Sequence, residues 1–221
     1  MDSYRKTAII VGVLFITATV TALLSIVSLG STLDDPGYLT DVSANENQVI
    51  TAVILWLILA VSVMGIGVMM FPILKKDNES LALGYVGFRL IETILIIVAS
   101  LSLLSLLTLS QEYVAGTLDA SYYQPLGTSL LALQNWSFGI GTMIFLGLGG
   151  LPLYYLLYQS RLVPRWLSVW GIIGAALILL YGLVSLFGPD PGFLAMPIFA
   201  QEMVFAAWLI VKGFNPSAIA S

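Results

Sequence analysis

Six long apolar runs govern what this chain can fold into. They are Thr7–Leu29, Gln48–Leu74, Leu81–Leu109, Pro125–Tyr158, Trp166–Phe187 and Pro191–Lys212. A helix crosses the hydrocarbon core of a bilayer, about 30 Å thick, with roughly 20 residues. In lipid a backbone must satisfy its own hydrogen bonds, and runs this long and uniformly apolar do so as α-helices rather than tilted barrel strands. The expectation is an all-α polytopic membrane protein, a six-transmembrane-helix bundle forming one integral membrane domain over residues 1–221. Composition agrees: 9% of the 221 residues are charged and the mean hydropathy is +1.00, whereas soluble domains carry about 25% charged residues.

The first run has features of a signal peptide, with Arg5 and Lys6 before it and Ser28-Leu29-Gly30 at its end. Its apolar stretch of 23 residues exceeds the roughly 7–15 of a signal core, so a retained helix is expected.

Basic residues set the orientation. Arg5 and Lys6 precede the first run, Lys75 and Lys76 join the second and third, Arg161 and Arg165 join the fourth and fifth, and Lys212 ends the sixth. The opposite loops hold no basic residue and instead carry Asp34, Asp35, Asp41, Glu46, Glu112, Asp119 and Asp190. The positive-inside rule then places both termini on the cytoplasmic side of a bacterial or archaeal cytoplasmic membrane. Trp166, Trp170 and Trp208 fall near the basic boundary and Tyr122 and Tyr123 near the acidic one, as an aromatic belt would.

Local signals mark the helix ends. Ser43 and Glu46 form a capping-box pattern before the second run. Asp190 and Pro191 read as the N-cap and first residue of the sixth helix, and Gly213 as its C-cap. Pro197 predicts a kink that frees a carbonyl near Phe193. Ala8…Gly12 and Gly171…Ala175 have the four-residue spacing of close helix packing.

The chain contains no cysteine and no histidine. That excludes disulfides, thiolate nucleophiles, imidazole bases, histidine-ligated haem and the usual zinc sites. No cofactor or metal is expected, and no basic surface suggests nucleic acid. The partners expected are the bilayer and a small-molecule or proton ligand.

Against this background two ionisable residues in the third run stand out. A charge at mid-bilayer costs at least about 2.5–3.5 kcal/mol. Arg89 and Glu92, at i and i+3, share a helix face and can reach each other. Counted from Leu81 at about 1.5 Å per residue, they lie roughly 12 and 16 Å deep. Glu202 in the sixth run lies about 15 Å from Lys212 and so at similar depth. Arginine stays protonated, so one carboxylate can pair with it. A second, unpaired carboxylate in low dielectric is expected to be held neutral by a proton, as a proton relay or coupled transporter requires.

Other polar residues are candidates around this pair. Gln134 and Asn135 lie in the fourth run. Thr17, Thr21, Ser25 and Ser28 share one face of the first helix, which suits either a polar lining or a packing stripe. Ser102 and Ser105 lie further along the third.

Three stretches resemble a bacterial family of small six-helix membrane proteins catalogued as domain of unknown function 4386. They are Arg5-Lys6-Thr7-Ala8 leading into Gly12-Val13-Leu14-Phe15, then Tyr158 to Leu167 followed by Gly171, and Gln201-Glu202-Met203 followed by Ala207 to Phe214. The Phe88-Arg89…Glu92 pair is similar to the family's third-helix signature. The resemblance implies the six-helix architecture and no particular reaction.

Three functional readings follow. The first is a small transporter or ligand-binding membrane protein with Arg89, Glu92, Asn135, Glu202 and Gln134 around a buried polar site. The second is a non-catalytic sensory, structural or partner-subunit protein in which the same residues only clasp helices together. The third is an intramembrane enzyme, which without His or Cys would need Glu/Asp chemistry or a metal held by few carboxylates.

Overall fold

The computed structural model describes residues 3–34, 36–116 and 120–219. Asp35 and Asp119, counted above among the acidic loop residues, lie outside the described residues. All regular structure among the described residues is helical. The elements are α1 (Ser3–Leu29), α2 (Tyr38–Ala44), α3 (Glu46–Leu74), α4 (Glu79–Ala115), α5 (Ala120–Gln134), a π-helical segment (Asn135–Gly141), α6 (Thr142–Ser160), α7 (Arg165–Ser185), a 3-10 turn (Gly192–Ala195), α8 (Met196–Val211) and α9 (Pro216–Ile219). Six helical stretches, with α5, the π segment and α6 running on as one, are long and apolar enough to cross a membrane.

The six spanning helices close a ring. Each packs against the next in the order α1, α3, α4, α6, α7, α8 and back to α1. Hydrogen bonds tie the loops at both ends. At the basic face Arg5 donates to the carbonyls of Leu209 at 3.0 Å, Ile210 at 2.6 Å and Val211 at 3.2 Å. There Lys76 donates to the Tyr4 hydroxyl, and the Asn215 N–H to the Leu162 carbonyl. At the acidic face Ser28 donates to the Gln48 carbonyl and Ser110 to that of Leu39.

The helices present large aliphatic side chains outward, Val27, Val61, Leu101, Ile173 and Val211 among them. In water so continuous an apolar exterior would be an aggregation surface; in lipid it is the solvated side. Inside, the core is divided in two. One packed cluster fills the basic half around Phe15, Met70, Tyr85, Leu153, Leu167 and Phe205. A second fills the acidic half around Leu39, Val49, Trp56, Leu103 and Leu106.

Glycines allow the tightest crossings. A Cβ at Gly147 would lie 2.7 Å from Leu179, one at Gly171 2.4 Å from the Tyr154 ring, and one at Gly12 2.8 Å from the Ala206 carbonyl. The Ala8…Gly12 and Gly171…Ala175 spacings are therefore contact faces, with all four residues buried.

Several local expectations need correction. Ser43 does not cap the second spanning helix. It lies within α2, a short helix that tucks Tyr38, Leu39 and Val42 inward, and α3 is preceded by Asn45, whose side chain makes no cap bond to it. Asp190 and Pro191 do not start the sixth spanning α-helix; Pro191 precedes a 3-10 turn, and the α-helix begins at Met196. Pro197 consequently sits in the first turn of α8, where the missing N–H has no intrahelical partner to lose, so it causes no kink. Of the two belt tyrosines Tyr122 is exposed, whereas Tyr123 is buried edge-on against Tyr113 at 5.5 Å. The Gly213 cap holds: its φ is +76°, and its N–H reaches the Trp208 carbonyl.

Candidate functional site

Arg89, Glu92 and Glu202 meet at the centre of the ring, between the two apolar clusters. The α4 periodicity that turns Tyr85, Arg89, Glu92 and Ile96 to one side also directs them inward, and all four are buried. Arg89, Glu92 and Glu202 are 2%, 5% and 6% exposed. Arg89 Nη1 donates to Glu92 Oε2 at 3.0 Å, and Nη2 lies 3.7 Å from Glu202 Oε1 across the ring. The Nε donates to the Tyr85 hydroxyl at 3.3 Å. Nη2 itself makes no hydrogen bond.

An aromatic wall backs the triad on its basic side. The guanidinium carbon lies 5.9 Å from the Phe15 ring centre and 5.5 Å from that of Tyr85. Such distances are within the range of attraction between a cation and an aromatic face. Phe205 packs edge-on against both Phe15 at 5.4 Å and Tyr154 at 6.0 Å. These four rings are buried, and Phe15 also lines the cavity.

On the other side lies a cavity of about 320 Å³. Arg89, Glu92 and Glu202 form its polar floor, and its walls come from α1, α3, the π segment, α6 and α8. The mouth includes Leu23 and Ile26 of α1, which are 58% and 62% exposed. The cavity therefore opens sideways, in the acidic half of the bundle, through the face that lipid would cover. The π segment shapes this wall. A π turn inserts an extra residue into the helical register, and Phe138 within it and Thr142 just beyond it face the cavity. Phe138 also stacks on Trp56 at 4.3 Å.

The remaining sequence candidates divide. Gln134 is buried and its Oε1 has no hydrogen-bond partner, but it does not line the cavity. Its neighbour Asn135 points outward and is exposed, so the structure does not bring it to the triad. Ser25 is buried, donates to the Ala22 carbonyl and accepts from the Trp56 indole N–H at 2.8 Å. Thr21 donates back to the Thr17 carbonyl, and Ser28 reaches α3. Ser25 and Ser28 thus join α1 to α3, and Thr19 of the adjacent face is the α1 hydroxyl that lines the cavity. Ser102 donates within α4, and Ser105 is exposed.

Four residues at the site went unread in the sequence: Tyr85, Phe15, Tyr154 and Gln201. Tyr85 was legible in principle, because it stands one turn before Arg89. Gln201 adjoins Glu202, is fully buried and donates to the Leu167 carbonyl at 3.2 Å. Its Oε1, the Tyr154 hydroxyl and Ser168 Oγ, on three neighbouring helices, are buried without hydrogen-bond partners. Phe15 stood only at the end of a stretch that carries the family resemblance, and Tyr154 carried no signal, since an aromatic in an apolar run looks like any other.

Chemically the site holds a permanent cation between two carboxyls in an apolar surround. With both carboxyls ionised it carries one net negative charge, which a proton or a cationic group would neutralise. Among the described residues no group of three or more metal-ligating side chains is assembled.

The model of a family described as Domain of unknown function (DUF4386) matches residues 10–213 of this chain. No curated protein and no solved structure matches it.

Proposed function

The chain belongs to the DUF4386 family, and we propose that it is a small transporter that binds a largely apolar molecule against Arg89, Glu92 and Glu202. One observation carries this reading: a cavity of about 320 Å³ has Arg89, Glu92 and Glu202 as its floor and apolar walls above them. Pockets of this size hold small organic molecules, and a few convergent polar groups in an apolar lining fix their orientation. The aromatic wall on one side and the lateral mouth in the acidic half on the other are what a carrier open to one leaflet would present. The spare carboxyl couples binding to a proton.

In liposomes containing the protein and a trapped pH indicator, a panel of small lipophilic amines and acids is offered outside. At least one is expected to drive a protein-dependent proton flux that Glu92→Gln or Glu202→Gln abolishes while the melting temperature holds. Unchanged flux in both variants overturns the reading. The termini are cytoplasmic in this proposal. Because the chain lacks cysteine, Ser217→Cys should resist an impermeant maleimide in intact cells while Thr40→Cys reacts.

A second reading, the helix clasp, is favoured by the geometry of one guanidinium within 4 Å of two carboxylates on different helices. It leaves the cavity unused and predicts that the triad can be replaced by apolar residues without loss of function.

A further inference from the structure

A second concave site lies at the basic face, remote from the triad. The loop after α6 and the chain after α8 together form a groove of about 470 Å³. Three cations border it: Arg161, Arg165 and Lys212. No acidic residue lines it. All three are exposed, and among the described residues none forms an ion pair. The positive-inside bias gathers basic residues on this face; it does not require three of them to converge on one depression, where like charges repel.

The backbone is built to hold this arrangement. Arg161 ends α6 with φ +57°, the sole positive φ of a non-glycine residue among the described residues. Glycine usually takes that position, because a Cβ there crowds the following carbonyl. Arg165 opens α7, and its guanidinium carbon lies 4.9 Å from the Tyr158 ring centre. At that distance the ring attracts the cation. Across the groove Asn215 fixes the two rims together, through its N–H to the Leu162 carbonyl at 2.8 Å and its amide to the Arg161 carbonyl at 3.4 Å. Trp208 lines the groove and packs against Trp166 at 6.5 Å, at the level where amphipathic rings meet headgroups.

Two of the three stretches that carry the family resemblance supply this groove, Tyr158–Leu167 and Ala207–Phe214. The third, through Arg5, braces it: Arg5 bonds the last carbonyls of α8 and packs against Gly213.

We propose that this groove binds a phosphate group, with Arg161, Arg165 and Lys212 as its ligands. Guanidinium forks match phosphate oxygens in paired, charge-assisted hydrogen bonds, and lysine adds a point charge. The phosphate has two sources with this chemistry, an anionic phospholipid headgroup or a soluble phosphate ester.

The test uses the full chain in nanodiscs and in detergent. One arm measures co-purifying and exchangeable phosphatidylglycerol against phosphatidylcholine by native mass spectrometry. The other titrates glycerol phosphate and inorganic phosphate into detergent-purified protein. Preferential retention of phosphatidylglycerol identifies the lipid source, and saturable binding of glycerol phosphate alone identifies the soluble one. In either case Arg161→Gln or Arg165→Gln should weaken binding on the order of tenfold each. Lys75→Gln with Lys76→Gln, which removes charge elsewhere on the same face, should not. Arg161→Lys, which keeps the charge, separates loss of a ligand from loss of fold. The proposal fails if both arms are negative. It also fails if the arginine variants bind as the parent does, or if the Lys75/Lys76 variant weakens binding equally. None of these outcomes depends on flux through the central cavity.

Discussion

Arg89 of α4 and Glu202 of α8 face each other at 3.7 Å across the closed ring, while Arg89 holds Glu92 of its own helix at 3.0 Å. One guanidinium thus serves two carboxyls of different origin, one local and one remote. Removing a partner from a buried pair leaves an uncompensated charge and costs about 3–5 kcal/mol. Arg89→Met should therefore lower the melting temperature in detergent sharply. Adding Glu92→Leu and Glu202→Leu should restore most of the loss, because apolar residues of similar volume often replace buried ions without penalty. A single variant as stable as the parent would show that the guanidinium holds nothing together.

The π segment offers a second test. No atom outside the local helix lies within 4 Å of a Cβ at Gly139, so deleting this residue relieves no clash and removes one position from the register. Six residues at about 100° each turn through nearly the same angle as seven in a π-helix, so the shortened segment can close as ordinary α-helix with everything after it on its present face. Thr142 should therefore stay on the cavity wall. With Thr142→Cys as reporter, N-ethylmaleimide labelling should be unchanged on the deletion, while helix stability should rise by up to about 1 kcal/mol from loss of a mid-helix glycine. Altered labelling would mean that the π turn does not absorb an extra residue.

Gly171 permits α7 to lie against Tyr154. A Cβ would be 2.4 Å from two ring carbons, and overpacking of this kind costs about 1–3 kcal/mol. Gly171→Ala is expected to destabilise by that amount, and Tyr154→Leu in the same background to recover part of it. The double-variant cycle reads the coupling directly; additive effects would argue that the crossing is loose.

Arg5 closes the bundle by capping the C-terminal carbonyls of α8. Arg5→Gln should expose the end of α8 to hydrogen exchange, first at Lys212 and Gly213, and lower stability by about 1–3 kcal/mol. Arg5→Lys should rescue only part, because an ammonium cannot span three carbonyls as a planar fork does. Unchanged protection at these amides would refute the capping role.

How much of this was readable beforehand depends on range. Helix existence, number and the inward face of α4 follow from apolar length and period, which are local properties. The meeting of Glu92 and Glu202 was also inferable, because equal depth in two helices narrows where charges can sit. Asn135 misled because only its place in the fourth run, beside Gln134, suggested it: successive helical residues point about 100° apart, so the two cannot both face inward, and it is Gln134 that is buried. The Ser43 cap failed because α2 exists only by packing Tyr38, Leu39 and Val42 onto the bundle, a tertiary cause no capping pattern encodes. The cavity was invisible, since the volume left between six helices is a property of none of them.

The pairing of Arg89 with a glutamate three residues onward has a consequence during synthesis. When α4 enters the bilayer, α8 has not yet been made, and the guanidinium must be neutralised within its own helix. Glu92 does this at i+3, so the segment inserts as an almost uncharged unit. Glu202 arrives with the final spanning helix, and only then does Arg5 find the carbonyls of Leu209, Ile210 and Val211. A nascent chain that stops short of α8 lacks both the second carboxyl and the latch. The order of translation therefore separates a membrane-insertable intermediate from the finished site, and the finished site exists only once the last helix joins the first.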